Sequence, residues 1–198
     1  VALFDLAQPD APLPAQIVFD SSFLLALRPT DDNPQAAVVQ AFARRLRPYI
    51  AAIELAAWLV IPALQECYHV ILTGSLRHAW QGLDPATRPA NWLALYKREP
   101  ARLKTGLAEI ERFDRLLATY PISFAQPHDL VHGPPASALN ERLRHFIAAY
   151  DLLPQDALIL AEAERLGVTA VATLDSDWRR VAEFDIYTTP VAPLTSGL

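Results

Sequence analysis

The chain alternates short apolar runs with longer stretches whose hydrophobic positions recur at helical spacing. Ile17-Val18-Phe19 is a run of the kind that forms a strand buried on both faces, and it stops at Asp20. Ser21–Leu27 follows as a short helix. Beyond the turn bounded by Pro29 and Pro34, residues 35–47 put Val38, Val39, Phe42 and Leu46 on one helical face, and residues 50–57 continue that arm. Trp58-Leu59-Val60-Ile61 predicts a second strand. Pro62 then opens a helix that runs to about Leu72, a position where its missing N–H costs nothing.

Gly74, Gly82, Pro85, Pro89 and Pro100 break the middle of the chain, where residues 101–119 form one amphipathic helix. Pro121-Ile122-Ser123-Phe124 predicts a third strand, and a His/Pro/Gly loop leads to Pro135. Residues 136–149 form a helix with Leu139, Leu143, Phe146 and Ile147 inward. Pro154 opens a further helix, Gln155 to Leu166, that Gly167 closes. Val168–Leu174 is a strand, Asp175-Ser176-Asp177 turns it into a short helix through Val181, and Ile186–Thr189 is the last strand. Strands alternating with helices predict an α/β fold: a mostly parallel central sheet of about five strands, helices on both faces in three α/β/α layers, and an enlarged helical middle. Residues 1–15, with Pro9, Pro12 and Pro14, read as an extended leader, leaving 16–198 as one domain in which 74–145 is the helical elaboration.

Composition narrows the class. A chain of 198 residues that is 52% hydrophobic supports one domain with a proper core, which excludes a disordered protein. No apolar stretch is long enough to cross a bilayer, and the first residues lack the pattern of a signal peptide. Cys67, the one cysteine, cannot make an internal disulfide, so the expectation is a soluble, cytoplasmic protein. A net charge of -5 argues against coating nucleic acid by bulk electrostatics but leaves room for local basic surface. With only 6 glycines and no phosphate-cradling glycine motif, a nucleotide cofactor is disfavoured.

Carboxylates supply the chemistry. Asp20 and Asp175 end strands, and ligands of parallel sheets bind outside the carboxyl ends of their strands. Glu66 and Asp156 lie early in helices, each beside an apolar stripe: Glu66 with Pro62, His69 and Val70, Asp156 with Ile159, Leu160 and Ala163. Each has a plain structural explanation. Asp20 and Asp175 suit N-caps, Asp156 and Asp177 suit first turns, and Glu66 suits an ion pair with an arginine. Several carboxylates converging on one crevice, however, repel and are costly to desolvate. A hard divalent cation, Mg2+ or Mn2+, removes that cost.

In this order the segments resemble the motifs of a PIN-domain nuclease. Ile17-Val18-Phe19-Asp20-Ser21-Ser22-Phe23-Leu24-Leu25 is similar to that family's opening strand and turn, and Ile61-Pro62-Ala63-Leu64-Gln65-Glu66 to its second acidic motif. Leu153-Pro154-Gln155-Asp156-Ala157-Leu158-Ile159-Leu160-Ala161-Glu162-Ala163 is the most specific match. Val171-Ala172-Thr173-Leu174-Asp175-Ser176-Asp177-Trp178 resembles the fourth, with tryptophan where phenylalanine is more usual. Residues 74–145 match no motif. The resemblance implies a metal-dependent endoribonuclease of α/β/α fold, with a VapC-like toxin held by a small antitoxin as one branch and homodimers common among relatives. It implies Asp20, Glu66, Asp156 and Asp175 as catalytic metal ligands, with Asp177 an alternative or helper for the fourth place. Ser22 and Thr173 match positions whose hydroxyls orient the carboxylates or a water.

Arg179 and Arg180, just after the fourth motif, are candidates for RNA phosphates, with Trp178 beside them. Arg44, Arg45 and Arg47 read rather as a solvated helix end. His128 and His132 have zinc-like spacing but flank a Pro/Gly loop without partner ligands. Cys67 reads as a buried filler. Two other α/β families with an aspartate after the first strand fit poorly. Haloacid-dehalogenase-type phosphotransferases need a second aspartate where Ser22 stands, and response-regulator receivers need a lysine after a late strand. The other live class is a non-catalytic or weakly catalytic RNA- or protein-binding regulatory module on the same scaffold.

Overall fold

A computed structural model describes residues 2–29, 33–125 and 136–190, and in it the apolar run at Ile17 becomes a central strand of a parallel sheet. In chain order the strands are β1 (Leu3–Asp5), β2 (Gln16–Phe19), β3 (Ala56–Leu59), β4 (Ser123–Phe124), β5 (Ala170–Ala172) and β6 (Asp185–Thr188). In space the order is β1-β6-β5-β2-β3-β4, with every neighbouring pair parallel. The helices are α1 (Ser21–Ala26), α2 (Ala36–Ala51), α3 (Ile61–Gln81), α4 (Trp92–Arg98), α5 (Leu107–Leu117), α6 (Ala136–Tyr150) and α7 (Pro154–Arg165), with 3-10 segments at Pro100–Gly106 and Ser176–Arg180.

The sheet places the site. From β2 the chain builds outward through β3 and β4 on one side, then returns to lay β5 and β6 on the other. The strand order therefore reverses between β2 and β5, and the crevice beyond their carboxyl ends is where such folds bind ligands. Ile17, Val18 and Phe19 are buried on β2, as are Ala170, Val171 and Ala172 on β5, because helices cover both faces of the sheet. Aromatic rings tie one helical layer to the strands. Phe19 stacks on Phe23 at 4.8 Å, Phe23 meets Phe42 edge-on at 6.1 Å, and Phe42 leans on Tyr187 at 5.7 Å. Away from these rings, α7 buries Ala157, Ile159, Leu160, Ala161 and Ala163. It ends as the sequence predicts, at Gly167, whose φ of +72° is one that L side chains rarely adopt.

Several boundaries differ from the sequence reading, each for a local reason. Residues 50–57 do not extend the helical arm: α2 stops at Ala51, Ile53 turns the chain with φ of 60°, and β3 begins at Ala56. The second strand thus lies two residues earlier than Trp58-Leu59-Val60-Ile61. Within the stretch read as a leader, Leu3–Asp5 forms the edge strand, paired with Ile186, Tyr187 and Thr188. Leu6 and Ala11 are buried, and the Tyr187 hydroxyl donates to the Pro12 carbonyl at 2.8 Å. Among the described residues the sheet accordingly has six strands rather than about five.

The chain divides into two compact units: Val1–Leu64 with Tyr120–Leu198, and Gln65–Thr119. The helical elaboration read over 74–145 is split by this division, since β4 and α6 belong with the sheet. The second unit is helical and has its own polar ties. Tyr68 donates to Asp114 at 2.7 Å, Trp80 donates to the Pro89 carbonyl at 2.8 Å, and the Arg88 guanidinium lies 4.5 Å over the Trp80 ring. Phe113, Leu95 and Leu76 are its buried apolar centre.

In the first unit α6 is fastened by Glu183. One of its oxygens accepts from His145 at 2.5 Å and Tyr150 at 3.0 Å, the other from Arg142 at 2.6 Å. Partial burial raises the Glu183 pKa, but the bonds from His145, Arg142 and Tyr150 outweigh it and hold the carboxyl below the usual glutamate range. Its stabilisation is therefore full above the unfolded-chain value and disappears as pH falls through the lower folded one. Glu183→Gln should cost about 1 kcal/mol at pH 7, discounted for its partial exposure. Thermal unfolding across pH should show the gap from wild type closing below about pH 4.

Candidate functional site

Asp20 follows the last residue of β2, at the reversal of strand order, and its backbone N–H donates to the Ala172 carbonyl at 3.0 Å. It is only 2% exposed. Its place just past β2 fixes its address, and three hydroxyls fix its carboxylate. Ser22 Oγ donates to Oδ2 at 2.5 Å and Thr173 Oγ1 donates to the same oxygen at 2.8 Å, while Ser21 Oγ reaches Oδ1 at 3.4 Å. Asp20 also caps α1, accepting from the Ser22 N–H at 3.4 Å. The cap and the candidate ligand are one residue.

The two hydroxyls are themselves held. Ser22 Oγ accepts from the Leu174 N–H at 2.9 Å, and Thr173 Oγ1 accepts from the Asp175 N–H at 3.0 Å, so the turn after β5 orients both. The sequence resemblance assigned Ser22 and Thr173 such a part, and both do touch Asp20. Burial drives the Asp20 pKa above the ordinary aspartate value, with the bonds from Ser22 and Thr173 opposing it.

Glu66 and Asp156 join Asp20. One carboxylate oxygen from each of the three lies within 4.8 Å of the others. Asp156 stands in the first turn of α7, after Pro154, where the helix N-terminus favours negative charge. Glu66 stands on α3 two residues past Leu64, on the same uninterrupted helix whose first turn follows β3. Asp20 is buried and the other two are half-buried. Three carboxylates at this spacing form a set of hard oxygen donors with no nitrogen or sulfur among them. That donor chemistry fits a cation such as Mg2+ or Mn2+ and not a soft metal.

The remaining predicted residues have contacts of their own. Asp175 is not one of the three; its carboxylate caps the 3-10 segment, accepting from the Asp177 N–H at 2.8 Å. Asp177 is exposed and pairs with Arg180 at 3.4 Å. Arg179 is half-buried and donates to the Thr189 carbonyl, whereas Arg180 is exposed and donates to the Asp151 carbonyl at 3.3 Å. Cys67 is buried. His128 and His132 lie outside the described residues. Sequence reasoning gave no part to Gln155, whose amide donates to the Pro62 carbonyl at 2.6 Å and joins the first turns of α7 and α3. Its place directly before Asp156 was the available signal.

A family model described as the PIN domain matches residues 17–184. Among curated proteins no significant match is found. Among solved structures, the crystal structure of PAE2754 from Pyrobaculum aerophilum aligns with a TM-score of 0.39 at 15% identity, over 87% of this chain and 89% of that one.

A raised Asp20 pKa means that its ionised form destabilises the ion-free protein near neutral pH, a penalty that fades as pH falls through the folded value. In chelator at pH 7, Asp20→Asn should raise the unfolding midpoint. With excess Mn2+ the order should invert, because an ion that binds only the folded wild type stabilises it by mass action. Differential scanning fluorimetry in both buffers checks this.

Proposed function

This chain belongs to the PIN domain family, and from that membership we propose that it is a divalent-metal-dependent endoribonuclease that hydrolyses RNA phosphodiester bonds. PIN domains are in general metal-dependent nucleases, and the observation that carries the reading here is the grouping of Asp20, Glu66 and Asp156 at the carboxyl edge of the sheet. Asp20, Glu66 and Asp156 would hold Mg2+ or Mn2+. An ion there supplies charge neutralisation for the scissile phosphate and activation of water.

The chain's own residues supply the rest. Ser22 and Thr173 load Asp20 Oδ2 with hydrogen bonds, so Oδ1 carries the lighter load and is the oxygen we assign to the ion. The turn amides of Leu174 and Asp175 keep those hydroxyls from rotating. Asp175 enters the proposal through this turn, and its carboxylate, with that of Asp177, is the candidate for the fourth acidic place that the family resemblance implies. Of the two arginines after the fourth motif, Arg180 is exposed and suited to a phosphate, while Arg179 is engaged by the Thr189 carbonyl. Hydrolysis leaves a phosphate on one product and a hydroxyl on the other. The toxin branch of the family adds a small antitoxin to the proposal, and co-purification of a short partner chain from its native host is the observation that assigns it.

Cleavage of mixed RNAs by the wild type should stop in chelator and return with Mn2+. Asp20→Asn and Asp156→Asn should each lower the rate by at least about a hundredfold. RNA retention without Mn2+-dependent cleavage would instead favour the binding-module reading.

A further inference from the structure

The hydrogen bond from Gln155 to the first turn of α3 spans the two helices that carry Glu66 and Asp156. We infer that Gln155 is a positioning residue that sets the spacing of those two carboxylates. The inference rests on the reading of Asp20, Glu66 and Asp156 as a cation site.

The bond lands at a telling place. Gln155 Nε2 lies 2.6 Å from the Pro62 carbonyl oxygen. In an α-helix the carbonyl of residue i accepts the N–H of residue i+4, so the Pro62 carbonyl is also the acceptor for the Glu66 amide. A carbonyl has two lone pairs and accommodates both donors. On the other side, Gln155 is bonded directly to Asp156. The peptide that begins Asp156 and the helical turn that holds Glu66 are thereby joined through one oxygen.

The start of α7 needs such a tie. Its N-cap is Leu153, which offers no side-chain cap, so Pro154 fixes the backbone there but nothing from the cap anchors it. Asp156 and Glu66, meanwhile, each offer a carboxylate oxygen within 4.8 Å of the other, and like charges at that spacing favour separation of the two helix starts. A glutamine resists that separation with a donor that carries no charge. Glutamate at the same position would add a fourth negative group and lose the donor.

The test uses the full chain and Mn2+ alone. Gln155→Met keeps the length and unbranched shape but removes the donor. Titration calorimetry should show Mn2+ binding weakened about tenfold, with the unfolding midpoint in chelator within about 2 °C of wild type, because one half-buried hydrogen bond is lost. In a Glu66→Gln background the same substitution should change Mn2+ affinity less than twofold, since the side chain it positions no longer carries charge. If Gln155→Met does not fold, Gln155→Asn, one methylene too short to reach Pro62, is read with the same expectations. Unchanged Mn2+ affinity, or an equal loss in both backgrounds, would overturn the inference while leaving the cation site standing. Asp20→Asn binding Mn2+ as tightly as wild type would overturn the cation site and the positioning role with it.

Discussion

Mutual repulsion among three carboxylates is the constraint around which this molecule is arranged. Asp20, Glu66 and Asp156 each offer an oxygen within 4.8 Å of the others, and Asp20 is almost wholly withdrawn from water. Like charges at that spacing in a partly desolvated crevice oppose folding unless something of opposite charge sits among them. Of the two arginines after β5, Arg180 pairs with Asp177 and Arg179 donates to the Thr189 carbonyl. The arrangement makes physical sense as a cradle for a hard cation, and it matches what membership of the PIN domain family implies.

The fold holds the group by spending regular elements on it. The reversal of strand order between β2 and β5 opens the crevice, and Asp20 is the first residue past β2. The turn past β5 supplies Thr173 and, through the Leu174 amide, fixes Ser22. Two helix starts bring Glu66 and Asp156, and Gln155 spans them. The apolar framework beneath is the aromatic series from Phe19 through Phe23 and Phe42 to Tyr187, which seats α1 and α2 on the strands. Rigid elements rather than loops therefore carry the charged groups, which limits how far repulsion can move them.

Much of this was legible in the chain itself, because the local signals and the tertiary demands agree. Ile17-Val18-Phe19 reads as a buried strand and is one; Pro154 and Gly167 bound α7 as expected. Where they disagree, distant contacts decide. Leu3–Asp5 carries no strand signal of its own, and only the paired edge of β6 makes it a strand. Gly74 reads as a break, yet α3 passes through it to Gln81, the cost of one helical glycine being offset by burial of Ile71 and Leu76 on either side. At the site, the pattern of acids points to Asp20, Glu66, Asp156 and Asp175, with Asp177 as helper; the structure groups the first three, and Asp175 suits both a cap and a ligand. Both uses follow from the same place at the end of a strand. Gln155 shows in the sequence only by its place directly before Asp156, because its partner is a backbone carbonyl with no side-chain pattern of its own.

The central claim, that the three carboxylates share one cation, is tested most directly by a crystal grown with Mn2+ and measured at an energy where manganese scatters anomalously. The account predicts a single strong anomalous peak lying about 2.0–2.3 Å from an oxygen of each of Asp20, Glu66 and Asp156. A peak bound by other residues, or none while the three side chains sit as described, would contradict it.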